Sequence, residues 1–284
     1  MSPLAPSGGE GGVRGPSLAR GPSLAMEWRR PSAFPARWMG PALWAGLGAF
    51  VLWNALSLQV DPARVSRGLG RAWIVFGRAF PPDFERWELL VEGVVESLQM
   101  ATLSTALGVL IGIPIAVMAA RNFAPLPVYA AGRGIISLGR TFHEIIVAIL
   151  FVKAVGFGPF AGMLTLTWGS IGFFGKLLAE QIENIDRGQV EAIRATGAGR
   201  GAVLLFGVLP QVLPRIIGLT IYQWDVHLRQ STIIGIVGAG GIGTTLYNSF
   251  ARYDYDFSLA ILLVIVAIVL LGEAVSAVAR KRIQ

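Results

Sequence analysis

An all-α, polytopic membrane protein of about six transmembrane helices, with a helical cytoplasmic loop, is the fold class this sequence predicts. Of its 284 residues, 54% are hydrophobic and only 14% charged, against about 25% charged in an average soluble domain. Charge this sparse does not cover a water-facing surface. Mean hydropathy is +0.60, and the 36 glycines follow no triplet period. That composition fits helices packing closely in lipid and excludes collagen or simple disorder. The arginines gather at the ends of apolar segments, the pattern of cytoplasmic flanks, so the net charge of +7 marks membrane edges rather than a nucleic-acid partner. With no cysteine, disulfides, thiolate metal sites and cysteine nucleophiles are excluded, and 2 histidines leave little for a metal.

Residues 1–37 are rich in Gly, Pro, Ser and Arg and carry a direct repeat, Gly15-Pro16-Ser17-Leu18-Ala19 and Gly21-Pro22-Ser23-Leu24-Ala25. They predict a disordered cytoplasmic tail, in which no apolar stretch of signal-peptide length follows the first charges and Met26 is an alternative start. The first span runs from about Pro41 to Leu58, behind Arg29, Arg30 and Arg37, which places the amino terminus inside. A polar extracytoplasmic stretch from Asp61 to Glu92 follows, closing a first segment of residues 38–92. The second span, about Val94 to Ala120, stops at Arg121, Asn122 and Pro125. Segments three and four, Pro127 to Val155 and Pro159 to Leu178, flank Gly156-Phe157-Gly158 and are polar for lipid. A polar cytoplasmic loop occupies about 181–214. Beyond it lie an apolar segment from Arg215 to Val237, a glycine-rich stretch to Gly243, a polar loop with Arg252, Asp254 and Asp256, and a last span from about Phe257 to Val275. Arg280-Lys281-Arg282 returns the carboxyl terminus to the inside. Residues 93–284 thus form one transmembrane domain.

Charged residues recur where lipid rejects them. Arg140 and Glu144, Lys176 and Glu180, and Asp225 and Arg229 lie four apart, which on a helix puts each pair on one face. A charge at the bilayer centre costs about 2.5–3.5 kcal/mol on insertion scales, so the pairs should face protein or water. They either staple neighbouring helices or line a path for a polar solute. His143 and His227 accompany two of the pairs and fit helix-interface partners better than metal ligands.

Gly238-Ala239-Gly240-Gly241-Ile242-Gly243 satisfies the spacing of a dinucleotide-binding turn after a strand-like Thr232 to Val237. That motif needs a βαβ unit closed by a short strand and an acid, whereas Asp254 and Asp256 lead into an apolar run of membrane length. The better reading is a break or close helix contact exposing amide groups to a cavity.

In the cytoplasmic loop stands Glu191-Ala192-Ile193-Arg194-Ala195-Thr196-Gly197-Ala198, then apolar residues to Val208-Leu209-Pro210. A short helix, a glycine break and a second helix stopped by proline fit this pattern. Here the sequence resembles the permease subunits of bacterial ABC importers, whose signature is Glu-Ala-Ala, three residues, Gly, nine residues, Ile, one residue, Leu-Pro. Glu191, Ala192, Gly197, Leu209 and Pro210 match; Ile193 and Gly207 depart. The departures are similar to the phosphonate-uptake branch, as are Gly175-Lys176-Leu177, Ala195 to Ala198, Leu209 to Gln211, and Gly235 to Gly243. The resemblance covers roughly Glu92 to Gln284. At His143 that branch shows Pro, so a kink there is left without its usual cause.

The resemblance implies a permease of the bacterial plasma (inner) membrane, with both termini cytoplasmic. It would pair with a second copy of itself or a close relative and dock on two cytoplasmic ATPase subunits that hold ATP and Mg. An extracytoplasmic substrate-binding protein would load it with phosphonate or a related phosphorus oxyanion. No cofactor, metal or catalytic residue is expected in this chain. Glu191, Ala192, Gly197, Leu209 and Pro210 form the expected ATPase-coupling loop. Arg140, Glu144, Lys176, Asp225, Arg229, Gly238, Gly240 and Gly241 are the candidates for the translocation path. A permease for another small solute, such as an amino acid, is the alternative within transport. A membrane-embedded enzyme finds little support, with no Cys, no HExxH and no clustered acids.

Overall fold

The computed structural model describes residues 38–58 and 61–283, and every regular element among them is helical. The predicted tail 1–37, its repeat, Met26 and the arginines before the first span lie outside the described residues. The chain divides into two units, residues 1–65 and 66–284. The first contains α1 (Met39–Ser57), whose run from Gly40 to Ser57 carries no charge. α2 (Pro62–Ala79) opens on a proline and on Asp61, whose carboxylate accepts the Ala63 N–H at 2.9 Å, an N-cap arrangement. Much of the polar stretch expected from Asp61 to Glu92 is therefore helix.

The second unit is built around α3 (Trp87–Met118) and α6 (Pro159–Glu183). A buried stripe of small residues on α3, Ser97, Ala101, Ser104, Gly108, Gly112 and Ala116, lets α6 approach closely, the usual device for helices that gain nothing from lipid exclusion. Ser104 Oγ donates to the Met163 carbonyl at 3.1 Å, and a Cβ at Gly112 would come within 2.8 Å of the Phe174 ring.

The third predicted segment is two helices, α4 (Leu126–Thr141) and α5 (Glu144–Val155), bent by 92°. Phe142 and His143 are extended, and His143 Nδ1 accepts the Ile145 N–H at 3.4 Å. The imidazole thus caps α5 at the position where a proline was missing.

After α6 come α7 (Arg187–Ala195), the short α8 (Arg200–Ala202), a π-helical stretch Val203–Val208 and α9 (Leu209–Gly235). Helix runs unbroken from Arg200 to Gly235, so Pro210 does not stop it. Proline lacks an N–H; here it sits in the first turn of α9, directly after the π-helical segment, whose wider turn tolerates the interruption. Likewise Thr232 to Gly235 is the end of α9, not a strand. α10 (Ile242–Ala251) and α11 (Tyr255–Ile283) complete the chain.

Among the described residues four helical segments are long and apolar enough to cross a membrane: α1, α3, Arg200–Gly235 and α11. The bent pair α4 and α5 makes a fifth if taken as one span. The expected count of six differs because α6, though 25 residues long, is not apolar enough. Its Thr165, Thr167 and Ser170 are buried among α3, α4, α5 and α9 rather than turned to lipid.

Candidate functional site

Two polar regions lie at opposite ends of α6 and α9, separated by the length of α6, about 37 Å at 1.5 Å per residue. At one end is α7. Asp186 caps it by accepting the Gly188 N–H at 2.9 Å. Val190 turns inward and joins a buried cluster with Val203 and Val208, while Glu191, Ala192 and Arg194 face outward. Gly197 ends the helix with φ +79° and its N–H on the Arg194 carbonyl at 3.0 Å, the left-handed cap that favours glycine. Its Cβ position is open space. Gly207, standing where the generic signature has Ile, lies under α7: a Cβ would be 3.5 Å from Val190 Cα, so a branched side chain there would push α7 away. Leu209 is half-buried against the same cluster, and Pro210 is exposed.

Gln211 ties this region together. Its Oε1 accepts the Asp186 N–H at 2.9 Å, and its Nε2 donates to the Gly207 carbonyl at 2.6 Å and lies 3.4 Å from the Asp186 carbonyl. One amide thus clasps the residue that caps α7 to the start of α9. The Leu-Pro-Gln stretch is visible in the sequence, but nothing in the sequence assigns this part to its glutamine. Nearby, Glu183 accepts the Arg121 N–H at 2.8 Å and pairs with Arg133 at 2.9 Å, locking the end of α6 to the α3–α4 turn.

The other end holds the glycine stretch. Gly238, Gly240 and Gly241 have φ of +84°, +84° and +73°, conformations natural to glycine. Gly240 also packs backbone to backbone on the start of α6: a Cβ would sit 2.6 Å from Pro159 Cα. A cavity of about 720 Å³ opens here, lined by Glu92, Glu96, Phe157, Gly238, Gly241 and Tyr247 among others. The glycines do border a cavity, as expected, but their amides are largely engaged. Gly241 N–H donates to Glu96 Oε2 at 2.9 Å and Ile242 N–H to Ser97 Oγ at 3.0 Å, so α3 satisfies the first donors of α10. The carboxylate of Glu96 had no signal in the sequence. At the start of α3, Arg86 bonds Asp254 at 2.8 Å and Asp83 at 3.2 Å and stacks 3.9 Å over Phe257. The Asp254 hydrogen bond raises its pKa further above the ordinary arginine value, against a smaller opposing effect of burial.

Of the three predicted ion pairs two form. Asp225 and Arg229 meet at 3.2 Å, the carboxylate buried and the guanidinium 55% exposed, so the arginine reaches outward past its partner. Lys176 and Glu180 meet at 3.7 Å and are both half-exposed. Arg140 and Glu144 do not share a face, because the break at Phe142 and His143 puts them on different helices. Arg140 is exposed with its stem beside Gly172, whereas Glu144 accepts from Gln230 Nε2, joining α5 to α9. His227 is buried with Thr105 Oγ1 at 2.9 Å and Gln223 Nε2 at 2.8 Å, a satisfied interface residue.

The family model for binding-protein-dependent transport system inner membrane components matches residues 112–284. The phosphite transport system permease protein PtxC of Stutzerimonas stutzeri is 42% identical over 223 residues, 78% of this chain and 81% of that one. The phosphate-import permease protein PhnE of Mycolicibacterium smegmatis is 38% identical over 239 residues, 84% of this chain and 44% of that one. Among solved structures, an inward-facing MetNI methionine ABC transporter aligns with a TM-score of 0.62 at 25% identity, over 71% of this chain and 99% of that chain.

Proposed function

Because this chain belongs to the family of binding-protein-dependent transport system inner membrane components, we propose that it is the permease subunit of an ATP-driven importer that carries a phosphorus oxyanion into the cytoplasm. The observation that carries the mechanism is α7: a short helix with Glu191, Ala192 and Arg194 outward, held to α9 by Gln211 and to the π-helical stretch by Val190. A cytoplasmic ATPase subunit that receives α7 in a groove and moves would move α9 with it. Because α9 carries the Asp225–Arg229 pair and leads directly into the glycine stretch that follows Gly235, motion at one end would reach the cavity at the other, the rocking that alternating access requires. Two copies of this chain, or one with a close relative, two ATPase subunits and an extracytoplasmic binding protein complete the assembly. Both termini and α7 are cytoplasmic, and the cavity beside Glu96 opens to the outside, where the binding protein delivers its cargo.

The substrate class rests on the phosphite and phosphate permeases at 42% and 38% identity, well above the 25% shared with the methionine transporter. The test is reconstitution of the complex with its ATPase and binding protein in proteoliposomes. ATP-dependent uptake of labelled phosphite, phosphate or methylphosphonate is expected. Uptake of methionine with none of the phosphorus oxyanions overturns the substrate class, and failure of an ATPase subunit to co-purify overturns the assembly.

A further inference from the structure

We propose that α2 lies in the plane of the membrane surface as an interfacial helix, its aromatic face in the acyl region and its arginine face toward lipid phosphates and water. On a helical projection of 100° per residue, Arg64, Arg67, Arg71 and Arg78 fall within an arc of about 60°. Val65, Leu69, Ala72, Trp73 and Phe76 fall within an arc of about 100° centred on the opposite side. The apolar face is not covered by protein: Leu69 is 68%, Trp73 81% and Phe76 71% exposed. In water such a face would be costly, while apolar aromatic and aliphatic residues opposite arginines are what an interface-bound helix presents.

The flank between these faces adds a third direction. Ala79 is buried and Val75 half-buried, and both project between the two arcs. Only the last turns of the helix meet protein on this flank, with the apolar face roughly a quarter-turn one way and the arginines the other. A helix lying on a bilayer against the side of a bundle has this disposition.

Connectivity leads to the same place. Pro62 follows the end of α1 by five positions, and Trp87 follows the end of α2 by eight. α1 and α3 are each long and apolar enough to cross a membrane, and α2 lies between them in sequence. Short links on both sides, with at most about 3.6 Å of reach per intervening residue, tie the two ends of α2, about 27 Å apart, to helices of membrane-crossing length and so keep it near the bilayer. The occupant of the apolar face is lipid, and the complementary charge for the arginines is the phosphate of the headgroups.

The absence of native cysteine makes the test direct. Single cysteines replacing Leu69 and Phe76 on one face, and Arg71 and Arg78 on the other, are labelled with bimane in the full complex. The complex is reconstituted in vesicles of phosphatidylcholine and phosphatidylglycerol. Phosphatidylcholine brominated on its acyl chains should quench the labels at 69 and 76 but not those at 71 and 78, and aqueous iodide should do the reverse. Iodide quenching at all four positions would make α2 a solvated helix. Shielding of 69 and 76 from both quenchers would make the face a protein contact. Either outcome overturns the proposal, and two positions per face keep the result readable if one variant is poorly produced.

Discussion

Replacing Gln211 by Leu is the perturbation that most directly separates coupling from folding. Leucine keeps most of the volume but abolishes the acceptor for the Asp186 N–H at 2.9 Å and the donor to the Gly207 carbonyl at 2.6 Å. Each such bond contributes about 0.5–1.5 kcal/mol net. Because Gln211 is only half-buried and water re-solvates part of what is lost, the total is about 1–2 kcal/mol. That is a factor of roughly 5–30 in the ratio of docked to undocked α7. The rest of the fold does not depend on this amide, since Val190 and its buried neighbours remain. The assay is ATP hydrolysed per substrate imported in proteoliposomes, measured beside membrane abundance. The ratio should rise several-fold with abundance nearly unchanged. Gln211→Glu, which keeps the acceptor but sets a carboxylate against the Gly207 carbonyl, should be no better. A wild-type ratio for Gln211→Leu, or lower abundance at a wild-type ratio, refutes the clasp as a coupling element.

Gly197→Val places a β-branched residue at φ +79° in open space, a local strain of about 1–2 kcal/mol; membrane insertion should survive while the ATPase detaches or uncouples, and normal transport would remove the loop from the mechanism. Arg229→Gln leaves the buried Asp225 without its partner, costing about 3 kcal/mol at the low end of buried-pair losses because the arginine is largely exposed; adding Asp225→Asn should restore assembly but not full uptake, and full recovery in proteoliposomes makes the pair purely structural. Gly172→Ala sets a Cβ 2.8 Å from the Gly139 backbone, so the thermal midpoint of the purified protein should fall by the equivalent of about 1–3 kcal/mol; an unchanged midpoint would mean α4 and α6 separate readily. Single cysteines at Glu85 and Gly188 test the proposed orientation, with labelling from outside intact spheroplasts expected at 85 and absent at 188.

The short helix α7 and the glycine that caps it were legible because their spacing is local, an amphipathic turn closed by Gly197, whereas the proline expected to stop the second helix does not. The ion pairs tested the same logic and divided on one assumption. Asp225–Arg229 and Lys176–Glu180 sit on continuous helices and form, whereas Arg140 and Glu144 are separated by two extended residues that no proline announced. His143 caps α5 at that break, and histidine is not among the residue types that mark an N-cap in a sequence. The proline rule failed in the opposite sense at Pro210, where π-helical geometry let the helix continue. α6, expected as the fourth span, is too polar to count as one by composition, as a helix wrapped by other helices has no need to be apolar. α2 was hidden for a related reason: its arginines and the neighbouring acids made the segment look uniformly polar until they were arranged around a helix.

The electrostatics of the cavity beside Glu96 bear on how the proposed permease would treat an anion. Glu92 and Glu96 line it, and Glu96 already holds the Gly241 amide, so on the proposed path an entering oxyanion would meet repulsion and a tethered competitor rather than an empty cradle. Further along, the Arg229 and Lys176 cations stand beside Asp225 and Glu180. Each positive group is thus partly neutralised before cargo arrives. A conduit built this way stabilises an anion weakly at every point, which suits release, since a site that bound tightly would trap what it is meant to pass. In the proposed assembly, discrimination among phosphite, phosphate and phosphonate would then fall to the binding protein that delivers them. Exchanging that protein for one of different specificity, with this permease unchanged, should change the substrate imported.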